Sequence, residues 1–404
     1  MARLLCLGAG PAQLGVLAAA RAAGLNIVAA DRDPSAPGFR YADRRAIVSI
    51  EDEPAVERLA RAEEIDGIVA PGSDHAVAIA ARVAERLALP HPLAPGVAQL
   101  AVSRRRQRER LAEAGIAQPR SIVCRSLDEV TTAAETLGYP VVVEAPRRTG
   151  ERAVGLAADR QALAEVASEA LAQSRGEYCL VEELVGGRIV TVNAFSLGGR
   201  YVPLTVTDRE PAPAPVFGVT LVQLWPAALE PAEVGSAVET AAAAARALGV
   251  EDGPTTAQIL LGEAGPLLGK LSARVGGGHD AELCRAALGV DVNALTVAKA
   301  LGEEVHAHDL APVHGVGGAC VRFLVAPVGR LEEVRGVDQA YELDGVRGIR
   351  IYRKPGHVFG ALRSASDRAG AILATGDTPD DALASADRAA SRIRFVTRRV
   401  EAVA

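Results

Sequence analysis

Lysine is almost absent from this chain. It occurs only at Lys270, Lys299 and Lys354 among 404 residues, so no ammonium group before position 270 can take part in any chemistry. Drift of the composition toward Arg and Ala accounts for the scarcity itself. Aromatic residues make up 3%, which leaves Ala, Val and Leu to build the core. The five cysteines, Cys6, Cys124, Cys179, Cys284 and Cys320, are scattered without C-x-x-C spacing. That argues against a zinc ribbon or a disulfide framework and for a reducing, cytoplasmic setting. No basic run is interleaved with aromatics and the net charge is -6, so no nucleic acid is expected. No uncharged apolar run approaches the ~20 residues of a membrane span. The N-terminus runs straight into a strand pattern, so no signal peptide is expected.

What is present is alternation. Residues 1–97 read as strand and helix in turn, the pattern of a doubly wound parallel unit. Gly8-x-Gly10 followed by Asp31 partly matches a dinucleotide fingerprint, but Gln13 stands where the third glycine belongs. Ser73-Asp74-His75 falls at the carboxyl edge of this unit, where ligands sit. Asp74 reads equally as a helix N-cap. Residues 101–114 form an Arg-rich helix carrying Arg104, Arg105, Arg106, Arg108 and Arg110. A solvated charged face is the plain reading, with one Arg reaching a phosphate as the sharper one. Residues 118–188 read as a compact α+β unit, and 208–217 as a Pro-rich loop over the site. At ~150 residues per domain the chain holds two or three. The expected division is 1–97, 98–305 with a lid at 118–188, and 306–404.

The centre of the chain is residues 254–279. Two strands, 255–261 and 267–273, flank a Gly-bearing turn, and Arg274-Val275-Gly276-Gly277-Gly278-His279 follows. Adjacent strands aim side chains from one face at a shared ion. The positions that should face it are Gln258, Lys270 and Ser272. An amide, an ammonium and a hydroxyl make a poor magnesium cage. The glycine run instead offers backbone N–H groups to a phosphate or carboxylate. Arg274 adds a cation there, and His279 either touches substrate or is a satisfied structural histidine. His306, His308, Asp309 and His314 are metal ligands by type but lack helical spacing, so no metal is expected there.

These landmarks together resemble the ATP-grasp superfamily, in particular its carboxylate–amine ligases of the amino-acid and dipeptide ligase type. The resemblance rests on 7–14, 31–39 and 68–74 in the first unit. It continues in 137–143, 180–183 and 274–279, and in 353–356, 374–379 and 392–395 of the tail. It implies an α/β ATP-grasp fold with three parts. These are an N-terminal doubly wound pre-grasp domain, a central two-lobed α+β grasp domain and a C-terminal α+β domain. It also implies ATP held by lysines, Mg²⁺ on acidic ligands, and a carboxylate phosphorylated before an amine displaces the phosphate.

Several positions depart from that pattern. Arg104 and Glu144 stand where lysines are expected, beside Glu182 and Glu183 in the nucleotide region. The glycine loop becomes a stretch with Arg147 and Arg148. Ile189 replaces the acid expected at the ribose, and Gln258 and Lys270 replace the metal-binding acids, with Ser272 as their small partner. An ion pair between Lys270 and Glu144 is expected to close the site.

Two readings follow. In the first the chain is a pseudo-ligase or repurposed ligase without cofactor. It binds a small amino-acid-like carboxylate at Arg274, Gly276, Gly277, Gly278 and His279, with Lys270 and Arg274 as the remaining reactive candidates. In the second it is an active ligase using ATP and Mg²⁺, with Arg in place of the gripping Lys. A homodimer and an active paralogous enzyme are the expected protein partners. An NAD-dependent enzyme is a distant third.

Overall fold

The structure, a computed structural model, describes residues 1–145, 154–174, 177–263 and 265–399. The chain opens with β1 (Arg3–Leu7), α1 (Leu14–Ala22), β2 (Asn26–Ala30) and β3 (Arg44–Ala46). Then come α2 (Glu53–Ala62), β4 (Gly67–Val69) and α3 (Asp74–Arg86). The four strands pair in parallel in the order β3-β2-β1-β4, as strands joined by crossover helices do. The first turn speaks against a dinucleotide. Asp31 accepts from the Ala9 N–H at 2.8 Å and the Asp33 N–H at 2.9 Å. Gln13, in the place of the missing glycine, donates to the Pro71 carbonyl at 2.6 Å. The acid that would meet a ribose is occupied by backbone, and Gln13 fills the turn.

The Arg-rich stretch is two helices, α4 (Pro95–Val102) and α5 (Arg104–Glu113). Ser103 separates them because its hydroxyl accepts from the Arg106 N–H at 3.4 Å and caps α5. A four-stranded antiparallel sheet follows. It contains β5 (Ser121–Cys124), α6 (Leu127–Leu137), β6 (Val141–Glu144), β7 (Val154–Ala157), α7 (Arg160–Gln173) and β8 (Cys179–Glu183), with strand order β5-β8-β6-β7. Val130, Ala134, Leu163 and Ala167 of its helices pack on Val141, Val143 and Val181. Side chains alternate along a strand, so Glu144 and Glu182 point to the opposite face.

The remaining chain builds an eight-stranded sheet. Its elements are β9 (Arg188–Leu197), β10 (Arg200–Pro211), β11 (Thr220–Trp225), α8 (Pro231–Ala247), β12 (Gly253–Gly262), β13 (Gly265–Ser272), α9 (Asp280–Leu288) and α10 (Val292–Ala300). Then come β14 (Gly318–Leu324), β15 (Gly329–Arg335), α11 (Val337–Tyr341), β16 (Val346–Ile351), β17 (Val358–Phe359), β18 (Gly370–Gly376), α12 (Pro379–Arg392) and β19 (Arg394–Arg398). Strand order is β13-β12-β9-β10-β11-β14-β18-β16, with β17-β15-β19 beside it. The first residues expected in the Pro-rich loop extend β10 instead, because Asp208 to Pro211 find partners on β11.

Alternation assigns the two faces of the large sheet. Val190, Val192, Ala257 and Leu271 pack under α8, and Cys320, Ile372 and Ala374 under Ala382, Ala386 and Ala389 of α12. The other face carries α9, whose Leu283 and Ala287 cover Val321, Phe323 and Ala371. Burying three alanines of α12 gains little area each, so its N-cap matters. Thr378 accepts from the Asp381 N–H at 3.2 Å, a contact worth about 1 kcal/mol. Among the described residues no helix is long and apolar enough to cross a membrane.

Candidate functional site

The floor of the site is the face of the large sheet opposite α8. Register puts Gln258 across from Lys270 and Thr256 across from Ser272. On β9, Thr191 lies opposite Gln258 and Asn193 opposite Thr256. On β10, Thr207 lies opposite Thr191. The floor is therefore polar without a carboxylate from these strands. The Thr191 hydroxyl is buried with no hydrogen-bond partner. Ile189, on the same strand and parity, is 42% exposed.

One wall comes from α5 and the lid sheet. Arg104 and Arg108 are one helical turn apart and share a face. Arg104 Nε donates to Glu144 Oε2 at 2.9 Å, and one of its terminal nitrogens lies 3.5 Å from Glu182 Oε2. Arg108 Nε donates to Glu182 Oε1 at 2.8 Å. Both guanidiniums also donate to the Gly269 carbonyl, at 2.9 and 3.0 Å. That carbonyl is available because β13 bulges at Gly269, where the register with β12 shifts. The solvated-face reading therefore fails for these two arginines; it holds for Arg106 and Arg110, which are exposed. Burial disfavours the charge on Arg104, yet Glu144 and Glu182 more than restore it. Burial likewise opposes ionisation of Glu144, and Arg104 with Lys270 holds its carboxyl below the usual range. For Arg108, burial and then the like charge of Arg104 push the other way. Glu183 stays outside this cluster, since alternation turns it toward the Arg120 N–H and Nε, at 2.9 and 2.6 Å. Arg147 and Arg148 lie outside the described residues.

The opposite wall comes from the first unit. Ser73 is the cap of α3, accepting from the Ala76 N–H at 3.5 Å, so Asp74 is not. Released from that role, Asp74 reaches Lys270 Nζ at 2.7 Å and Arg274 Nε at 2.6 Å. The ion pair expected between Lys270 and Glu144 is replaced by two separate ones, because each group has a nearer partner. Burial opposes the Asp74 charge, but Arg274 and Lys270 outweigh it and hold its carboxyl far below the ordinary range. Sequence reasoning weighed Asp74 as a possible ligand residue and missed its partners. The available signal was Ser73, a good cap immediately before an acid.

The glycine run closes the site against the first unit. A Cβ on Gly276 would collide with the Asp280 carboxylate, and one on Gly278 with the Gln223 amide. One on Gly277 would sit 3.3 Å from Ala12 Cβ. Asp280 also accepts the Gly278 N–H at 3.1 Å. These glycines thus lie close against neighbouring side chains, and one N–H expected to meet an anion already has a partner. His279 is buried, with backbone φ of +61°. Its Nε2 is 2.5 Å from the Tyr352 hydroxyl and its Nδ1 3.3 Å from Glu282 Oε1. Both ring nitrogens are engaged, as in a satisfied structural histidine. Among the described residues no group of three acidic, His or Cys side chains is placed to hold a metal.

A family model described as "Carbamoyl-phosphate synthase L chain, ATP binding domain" matches residues 103–304, and one described as "L-amino acid ligase C-terminal domain 2" matches 322–398. The chain is an ATP-grasp protein of the carboxylate–amine ligase type. It is 27% identical to the uncharacterized protein y4rH of Sinorhizobium fredii over 83% of this chain and 69% of that one. It is 31% identical to a formate-dependent phosphoribosylglycinamide formyltransferase of Synechococcus, over 45% of this chain. That match spans 46% of the relative's length. The ATP-grasp fold extends over nearly the whole chain. The L-amino acid ligase of Bacillus licheniformis superposes with a TM-score of 0.84 at 20% identity, covering 99% of each chain. The biotin carboxylase domain of a Hydrogenobacter thermophilus 2-oxoglutarate carboxylase, solved with MgADP and bicarbonate, superposes with a TM-score of 0.80 at 16% identity. It covers 98% of this chain and 90% of that one.

Proposed function

We propose that this ATP-grasp protein is a pseudo-ligase or repurposed ligase. It binds a small amino-acid-like carboxylate, and ordinary ATP- and Mg²⁺-dependent acyl-phosphate chemistry is impaired or lost. The observation that carries this reading is the closed charge balance along α5 and the lid. Among the described residues the buried Arg104 and Arg108 are matched by Glu144 and Glu182, so neither guanidinium is left free for a polyphosphate. Phosphoryl transfer depends on neutralising phosphate charge with metal and cations. A carboxylate at position 144 works against that.

The donor set does not fit magnesium. That ion takes oxygen ligands at close range. Lys270 instead presents an ammonium opposite Gln258, and its charge is already met by Asp74 at 2.7 Å. The acid-binding end retains more. Asp74 is shared between Lys270 and Arg274, so neither cation has a carboxylate to itself. A substrate carboxylate would join that network through Arg274. A homodimer and an active paralogous ligase complete the reading as partners.

The match of the tail to an amino-acid ligase family model favours a second reading, an active ligase with Arg in place of the gripping Lys. Release of ADP from ATP, in the presence of mixed amino acids and Mg²⁺, separates the two. The pseudo-ligase reading expects ADP at the rate of the protein-free blank. Sustained release that requires both an acid and an amine would establish the second reading.

A further inference from the structure

A cavity of about 850 Å³ lies between α9 and the outer strands β18 and β16, away from the α5–lid wall. Its size falls within the range of small-molecule sites, about 300–1,000 Å³. The floor is apolar, from Val321, Ala371 and Leu373, and the walls are polar. Three guanidiniums line it, those of Arg285, Arg347 and Arg350, together with His314, against the single carboxylate of Glu282.

The local fold explains why the charges gather there. The register between β16 and β18 shifts between Val346 and Gly348, so Arg347 is the extra residue of a bulge. Its Nε donates to Thr375 Oγ1 at 2.7 Å, and among the described residues it has no carboxylate partner. Arg350 sits opposite Ala371 and so faces α9. Its nearest acid, Glu282 at 3.4 Å, also serves His279. Gly348, between the two arginines, puts no side chain over the floor. β16 is the last strand of its sheet, so no further strand shields the bulge.

We propose that this cavity binds a small anion, a carboxylate or a phosphate ester, gripped between Arg347 and Arg350. Such a ligand supplies the acid that Arg347 lacks. It also competes with Glu282 for Arg350, and so acts on the contact that orients His279.

The test is calorimetric titration of the full chain with malonate and, separately, with inorganic phosphate. The wild type is expected to bind at least one of them saturably. The R347Q/R350Q double variant should bind about tenfold or more weakly, as expected on losing charge-assisted contacts, while R106Q, on the exposed side of α5, should bind as the wild type does. Binding to malonate alone assigns a carboxylate ligand, and binding to phosphate alone a phosphate ester. No saturable binding by the wild type, or binding kept in the double variant or weakened equally in R106Q, overturns the proposal. Should the double variant melt far below the wild type, wild-type crystals soaked in the same anions decide. Anion density between Arg347 and Arg350 supports the site, and its absence there refutes it.

Discussion

Two walls face each other across the floor of Gln258 and Lys270, and they differ in one respect. Along α5 and the lid, two arginines meet two glutamates, all largely buried. At the first unit, Asp74 alone meets both Lys270 and Arg274. Among the described residues each of those arginines has a glutamate of its own, whereas Lys270 and Arg274 share one carboxylate. The lesson is that an acid at position 144, where the family resemblance implies a lysine, gives a buried arginine its partner, because buried charges must be paired.

The largest effect should come from breaking the closed wall. In E182Q the Arg108 guanidinium is left buried beside Arg104 without its acid. Urea unfolding should show a loss of about 3–5 kcal/mol, and a loss below about 1 kcal/mol would mean that the pairs are not structural. D74N should cost less, roughly 2–3 kcal/mol, because Lys270 is partly exposed and can turn to water. If D74N costs more than E182Q, the contrast between the walls is wrong.

The third prediction concerns acid. Burial opposes ionisation of Glu282, but His279 and Arg350 hold its carboxyl down at about 2, against an ordinary 4.5. A depressed carboxyl stabilises the fold above the ordinary value and loses that contribution as pH falls through the folded one. Up to about 3 kcal/mol should therefore disappear between roughly pH 4.5 and 2. E282Q should remove that share of the slope in a series of melting temperatures against pH. An unchanged slope would show that Glu282 is not held this way. The smallest effect is R106A, on the exposed side of α5, expected within about 0.5 kcal/mol of the wild type. A cost like that of E182Q would deny that the two faces of the helix differ.

Much of the fold was legible. Strand–helix alternation predicts the parallel unit that the first four strands form. The facing of Gln258 and Lys270 follows from period-two alternation and holds in the register. Partner choice was not legible. The sequence shows Lys270 and Glu144 as two lone opposite charges, and pairing them is reasonable until Asp74 and Arg104 are brought between them by contacts far apart in sequence. The depth of Arg108 was equally hidden. A run of five arginines within seven residues reads as solvated unless the bulge at Gly269 and the lid carboxylates are known. The cavity beside β16 carried no signal, since a bulge at Arg347 leaves no mark in the pattern.

The most direct measurement is calorimetric titration of the wild-type chain with ATP, with and without Mg²⁺. A closed α5–lid wall predicts no saturable heat that depends on magnesium. Micromolar binding that appears only with the metal present would contradict it.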